Sequence, residues 1–204
     1  MGGRTIAILV GGIPGVGKSS ISGYVAKELG IDLVLSGDYL REFIRPFSEY
    51  DEFKPLQSSV YDSWSIFGEK SRENIEQGFL LQARIINRGV SAVLRRSISN
   101  GEPLIVESLY FVPSQLDPDL LEKILPVYIY ISDKDLHTKR LNERQEYTHF
   151  NSPGQRLSKQ LDTYRVMMDY SLKECSEFGV PTFDNKDYLN TRELILNHIR
   201  KKLS

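Results

Sequence analysis

Gly12, Gly17, Lys18 and Ser19 stand at the spacing G-x-x-x-x-G-K-[ST] within VGGIPGVGKSSIS, residues 10–22. Each residue type in that pattern has a chemical reason. The glycines let successive backbone N–H groups of Gly12, Ile13, Gly15, Val16 and Gly17 turn inward around phosphate oxygens, with Pro14, which has no N–H, lying within the turn, and the positive end of a following helix adds to the attraction. Lys18 is placed to reach β- and γ-phosphates and Ser19 to hold Mg2+. A dinucleotide-binding reading, G-x-G-x-x-G from Gly15, fails at Ser20, where the last turn needs Gly or Ala. The stretch is therefore expected to hold a nucleoside triphosphate.

Two carboxylates stand where apolar runs end. Asp38 follows the second run in VLSGDYLRE, and Glu107 follows the third in LIVESLYFVP. In phosphoryl transfer the protein mainly aligns the reactants and neutralises charge, but a carboxylate can take the proton of the attacking hydroxyl. Asp38 is the candidate for that role, an alternative being the N-cap of a short helix. Glu107 is expected to orient an acceptor or a metal-bound water.

Arginines complete the set. Arg41 and Arg45, four apart after Asp38, would share a helix face and could fork an anionic acceptor. Arg140 and Arg144 repeat that spacing in DLHTKRLNERQEY, where a lid could bring one onto the transferring phosphate. Arg156 and Arg165 carry less weight. His137, His149 and His198 have no Cys or His at metal-ligand spacing and read as surface residues. Cys175, the one cysteine, excludes an internal disulfide and reads as a buried, inert thiol.

The elements that must position these groups are legible as apolar runs at residues 6–10, 31–35, 104–106, 127–131 and 180–183, separated by helical patterns. Runs without polar alternation suit strands buried on both faces, and strand–helix alternation suits a parallel sheet covered on either side. The expected fold is an α/β three-layer sandwich with about five parallel strands. An insertion over about 39–101 contains Ile75, Phe79, Ala83, Ile86, Val90 and Val93 at helical spacing, one long helix or two with a break near Gly89. Its first part, SEYDEFKPLQSSVYDSWSIF, is either a core-capping loop or a lid over an acceptor. A second lid region is expected at about 133–160, and a closing helix at the C-terminal end.

The 204 residues, 40% hydrophobic and 26% charged, suit one well-buried core, so 1–204 reads as a single domain. Lys plus Arg number 26 against 27 Asp plus Glu, and a net charge of −1 offers no broad field to draw in nucleic acid. No run approaches the ~20 apolar residues of a membrane span. Met1-Gly2-Gly3 lacks the Ser or Thr that a myristoylation signal wants, since Ile6 stands there. A cytoplasmic protein is expected, and nothing in the sequence marks an oligomeric state.

These pieces resemble archaeal 2-phosphoglycerate kinases and, more distantly, zeta-toxin and adenylate-kinase-like small-molecule kinases. The likeness rests on GGIPGVGKSS, LVLSGDYLREFIR, LQSSVYDSW, IEQGFLLQ, LIVESLYFVP and EFGVPTFDN, and spans most of the chain. The resemblance implies a P-loop fold and transfer of the γ-phosphoryl of ATP, with Mg2+, to the hydroxyl of 2-phosphoglycerate. It puts Gly12 to Ser20 around the phosphates, Asp38 and Arg41 beside the acceptor, Asn185 near the adenine, and a lid around Arg140 and Arg144. One departure concerns the acceptor: after the strand-end Glu the family pattern has Gly and, two residues on, His, where this chain has Ser108 and Tyr110. The acceptor is accordingly open between 2-phosphoglycerate and another phosphorylated or hydroxylated metabolite. A kinase of a nucleoside, nucleotide or RNA end is one alternative. A nucleotide-dependent switch is another; its N-K-x-D base-reading motif is approached by DNKDY, where Asp187 falls one residue short.

Overall fold

The computed structural model describes the backbone of residues 5–147 and 154–204, and the side chains of all of these but 144–147 and 154–155. In chain order the elements are β1 (Ala7–Gly11), α1 (Lys18–Leu29), β2 (Leu33–Ser36), α2 (Gly37–Ile44), three 3-10 turns (Arg45–Phe47, Asp51–Gln57, Val60–Phe67), α3 (Arg72–Asn100) and β3 (Leu104–Ser108). There follow a 3-10 turn (Pro113–Gln115), α4 (Pro118–Leu121), β4 (Leu125–Tyr130), α5 (Lys134–Tyr147), α6 (Gly154–Ser158), α7 (Leu161–Glu177), β5 (Thr182–Asp184) and α8 (Tyr188–Leu203).

The described strands pair in the order β2-β3-β1-β4-β5, every pairing parallel. β1 and β3, at the middle, are buried at all five positions, which is why their sequences run apolar without alternation. β2 departs from that expectation: it is an edge strand, with Leu33 46% and Val34 37% exposed. Parallel register places Val10 beside Glu107, Gly11 beside Ser108 and Ser36 beside Glu107. The carboxyl ends of β1, β2 and β3 thus lie together, at the edge where open parallel sheets bind ligands.

α3 is one continuous helix, the first of the two alternatives, with no break near Gly89. Its buried residues, among them Phe79, Ala83, Ile86, Val90 and Leu94, pack along the core, and that tertiary burial outweighs the ~1 kcal/mol that each interior glycine costs. Gly78 has a packing reason: a Cβ there would stand 2.5 Å from the backbone carbon of Ser63, so only glycine admits the Val60–Phe67 turn against the helix. Leu56, Val60 and Tyr61 of the irregular segment are buried in the same core. The segment therefore caps the core. Among the described residues no helix is long and apolar enough to cross a membrane.

Candidate active site

Between β1 and α1 the chain turns through Gly12 to Gly17 and enters the helix at Lys18. Gly17 has a left-handed φ of 91° and a Cβ there would lie 2.7 Å from the Asn185 amide nitrogen, so conformation and space both demand glycine. No side chain caps this helix N-terminus, which leaves its first amides for an anion. Ile13 and Val16 of the loop are fully buried and can meet a phosphate only through backbone. Lys18 Nζ donates to the Ile13 carbonyl at 3.2 Å.

A cleft of about 280 Å³ opens at this edge. Lys18, Ser19 and Ser20 line it with Asp38, Glu107 and Ser108, as do Arg140, Asn185 and Tyr188. Ser19 Oγ donates to Glu107 Oε1 at 2.9 Å, while Glu107 Oε2 is buried with no hydrogen-bond partner. A strand-end carboxylate touching the loop serine, with one oxygen unclaimed, is a donor pair that fits Mg2+ beside a bound triphosphate. Asp38 is exposed to the cleft, and the N-cap of α2 is Ser36, whose Oγ accepts from the Asp38 amide at 3.2 Å. The alternative reading of Asp38 as that cap is thereby removed.

Several expected groups take other roles. Arg41 donates to the carbonyls of Leu56 at 2.9 Å and Ser58 at 2.7 Å and pairs with Glu42, so it holds the core-capping segment. Arg45 also pairs with Glu42 and lies on a shallow surface depression outside the cleft; the two arginines share the Glu42 carboxylate, and neither lines the cleft. Tyr110 is buried, donating its hydroxyl to Gln82 Oε1 at 3.1 Å, and burial pushes its phenol well above the usual range. Gln82 in turn donates to the Pro55 and Ser58 carbonyls, so Tyr110 and Arg41 support one turn from two sides. Of the two departing positions only Ser108 faces the cleft, and its Oγ accepts from the Tyr110 amide.

Arg140 lines the cleft mouth and donates to the Lys186 carbonyl at 3.1 Å. The side chain of Arg144, the centre of the expected lid at residues 148–153, and His149 lie outside the described residues. Asn185 is 1% exposed and its Nδ2 donates to the Val16 carbonyl at 2.8 Å. Asp187 caps α8, accepting from the Asn190 amide, and Lys186 pairs with Asp184, which accounts for DNKDY without base reading.

His137 is fully buried, contrary to its reading as a surface residue, and its Nε2 meets the Pro14 carbonyl at 2.8 Å. The carbonyl can only accept, so the Nε2–H tautomer is fixed. Burial holds this imidazole below the ordinary histidine range. Tyr188 also escaped sequence reasoning: Arg192 lies over its ring at 5.5 Å and over that of Tyr24 at 4.3 Å. Cys175 is buried as expected, and burial pushes its thiol up to about 12, an unreactive value.

Among solved structures, a gluconokinase from Sinorhizobium meliloti superposes with a TM-score of 0.56 at 17% identity, covering 99% of this chain and 95% of that one. A shikimate kinase from Acinetobacter baumannii gives 0.55 at 14%, covering 98% and 96%. The fold is that of the P-loop small-molecule kinases. The model of the Zeta toxin family matches residues 2–102. Mevalonate-3-phosphate 5-kinase of Thermoplasma acidophilum is 48% identical over 194 residues, 95% of each chain. The 2-phosphoglycerate kinase of Methanocaldococcus jannaschii is 29% identical over the whole of this chain, which spans 66% of that relative's length. The chain belongs to one family with the T. acidophilum enzyme, and it has the fold of the small-molecule kinases above.

Proposed function

We propose that the protein transfers the γ-phosphoryl group of ATP to a hydroxyl of a small phosphorylated metabolite, with mevalonate 3-phosphate as acceptor. The observation that carries the reading is the single cleft in which Lys18 and Ser19 meet two strand-end carboxylates, Asp38 and Glu107. The choice of acceptor is supported by 48% identity across 95% of both chains to the T. acidophilum enzyme. Ser108, at the cleft wall where the 2-phosphoglycerate kinase pattern has Gly, supports the same choice.

In this reading the loop amides and Lys18 hold the β- and γ-phosphates, and the N-terminus of α1 spreads their charge. The acceptor hydroxyl oxygen attacks the γ-phosphorus; its new P–O bond forms as the bond to the ADP oxygen breaks, and its proton passes to the Asp38 carboxylate. Ser19 and Glu107 would hold Mg2+, which supplies charge neutralisation on the phosphates when bound. Arg140 adds positive charge at the mouth. Leu109, also lining the cleft, gives the acceptor's carbon skeleton an apolar wall.

The second reading keeps the same chemistry with 2-phosphoglycerate as acceptor, favoured by 29% identity over the whole of this chain to the M. jannaschii enzyme, of which it spans 66%. Acceptor-dependent ADP release, with ATP and Mg2+, separates them. Mevalonate 3-phosphate, 2-phosphoglycerate, 3-phosphoglycerate, glycerate, nucleosides and nucleoside monophosphates are compared, and the new phosphoryl ester is located by 31P NMR. Release with mevalonate 3-phosphate and a 5-phosphoryl product supports the reading; release only with 2-phosphoglycerate replaces it.

A further inference from the structure

A loop whose N–H groups face a phosphate must turn carbonyls outward, and buried carbonyls need donors. In this chain three loop carbonyls are each met by a side chain. Ile13 O accepts from Lys18 Nζ, within the loop's own motif. The other two donors come from distant elements: His137 Nε2, on α5, reaches Pro14 O at 2.8 Å, and Asn185 Nδ2, after β5, reaches Val16 O at 2.8 Å. Both side chains are buried and each keeps one polar atom, His137 Nδ1 and Asn185 Oδ1, without a hydrogen-bond partner. Neither residue was placed here by a need of its own element, since α5 is mostly polar and Asn185 already anchors its backbone N–H on Tyr130 O.

We infer that His137 and Asn185 are positioning residues that fix the phosphate loop from behind, holding the Pro14 and Val16 peptides so that the inward amides are preset for the nucleotide's phosphates. The inference rests on the reading of this loop as the nucleotide site. Leu141, one turn beyond His137, closes the same contact from the apolar side: a Cβ on Gly15 would lie 2.6 Å from its Cδ2. α5 is thus fastened to the loop at its base, and Arg140, between these two residues, is set at the cleft mouth by the same fastening. Preset donors raise affinity because ordering is not required on binding. The two residues should therefore govern nucleotide affinity, and leave acceptor KM alone.

The test uses calorimetric titration of the full-length protein with MgADP and with MgATPγS, beside thermal melts. Gln can put an amide nitrogen where His137 Nε2 stands, whereas Asn is too short and Leu has no donor. His137→Gln is expected to stay within about threefold of the parent Kd, and His137→Leu and His137→Asn to weaken it about tenfold, the scale of one lost hydrogen bond. Asn185→Ala is expected to act in the same direction. If the Leu variant does not fold, the Gln and Asn pair decides alone. Equal Kd values across the His137 series, with changes confined to melting temperature, would overturn the proposal and leave these residues purely structural. Nucleotide binding is read without an acceptor, so failure of the acceptor assignment leaves this test intact, and loss of all nucleotide binding in the parent would refute the site reading itself.

Discussion

Ser19, at the end of the phosphate loop, donates its hydroxyl to Glu107, at the end of β3, across 2.9 Å and 88 positions of sequence. Parallel register makes this meeting: Gly11 lies beside Ser108, which sets the loop after β1 against the carboxylate that precedes Ser108. The pair joins the residue expected to touch Mg2+ to a buried carboxylate oxygen that has no other partner.

Glu107→Gln keeps an oxygen for the Ser19 hydroxyl but removes the charge. Turnover should fall about 100-fold, the scale of one lost charge-positioning group at a transferring phosphate. Nucleotide Kd measured in EDTA should change less than about threefold, since the loop amides are untouched. The check is ADP release at saturating ATP across a Mg2+ titration. Unchanged turnover at every Mg2+ concentration would remove Glu107 from the metal corner.

Asp38 stands in the cleft as the second carboxylate, with Ser36 in the capping role. Asp38→Asn should lower turnover about 100-fold or more while leaving ATP affinity near the parent value. Lys18→Ala should abolish transfer and weaken nucleotide binding as well. The contrast is read by steady-state kinetics and direct nucleotide titration. An Asp38→Asn enzyme of normal turnover would assign the proton elsewhere.

The two glycines inside α3 should respond in opposite directions. A Cβ at Gly78 meets Ser63 backbone at 2.5 Å, whereas at Gly89 the nearest atom is Ile44 Cδ1 at 3.8 Å, an ordinary contact. Gly78→Ala forces the Val60–Phe67 turn off the helix and should cost about 1–3 kcal/mol. Gly89→Ala should gain about 0.5–1 kcal/mol from helix propensity. Urea unfolding of the two variants measures both signs, and a stabilising Gly78→Ala would contradict the close packing.

The phosphate loop and the β1–α1 frame were legible because a motif with fixed backbone demands followed an apolar run directly. Burial was less so: Leu33-Val34-Leu35 is as apolar as the central strands, but nothing in those three side chains tells an edge from a middle, and β2 is an edge. The Arg41–Arg45 spacing gave no sign of what holds Arg41, because those groups are backbone carbonyls 15 and 17 residues away. Tyr110 was misplaced for a related reason: its partner, Gln82, sits on α3, a packing relation with no local signature. His137 was hidden by its setting, a mostly polar helix, and by a partner carbonyl 123 positions upstream.

His137 also gives the protein a pH signature. Burial, with the cations Lys18, Arg140 and Arg165 nearby, holds the folded imidazole below the ordinary value, whereas in the unfolded chain it titrates near about 6.5. Between those two values the unfolded state binds more protons, so stability rises with pH there. The contribution is complete above about 6.5 and is lost as pH falls through the depressed folded value. His198, half-buried and also held low by burial beside Lys201 and Lys202, adds a slope of the same sign. Urea unfolding of parent and His137→Gln from pH 5 to 8 should give curves that run parallel above about 6.5 and diverge below it, the parent losing stability faster on the acid side. The Gln side chain keeps the donor to Pro14 and cannot protonate, so the divergence reports His137 alone. Parallel curves down to pH 5 would mean that the folded imidazole accepts its second proton without penalty, against the burial seen at Nδ1.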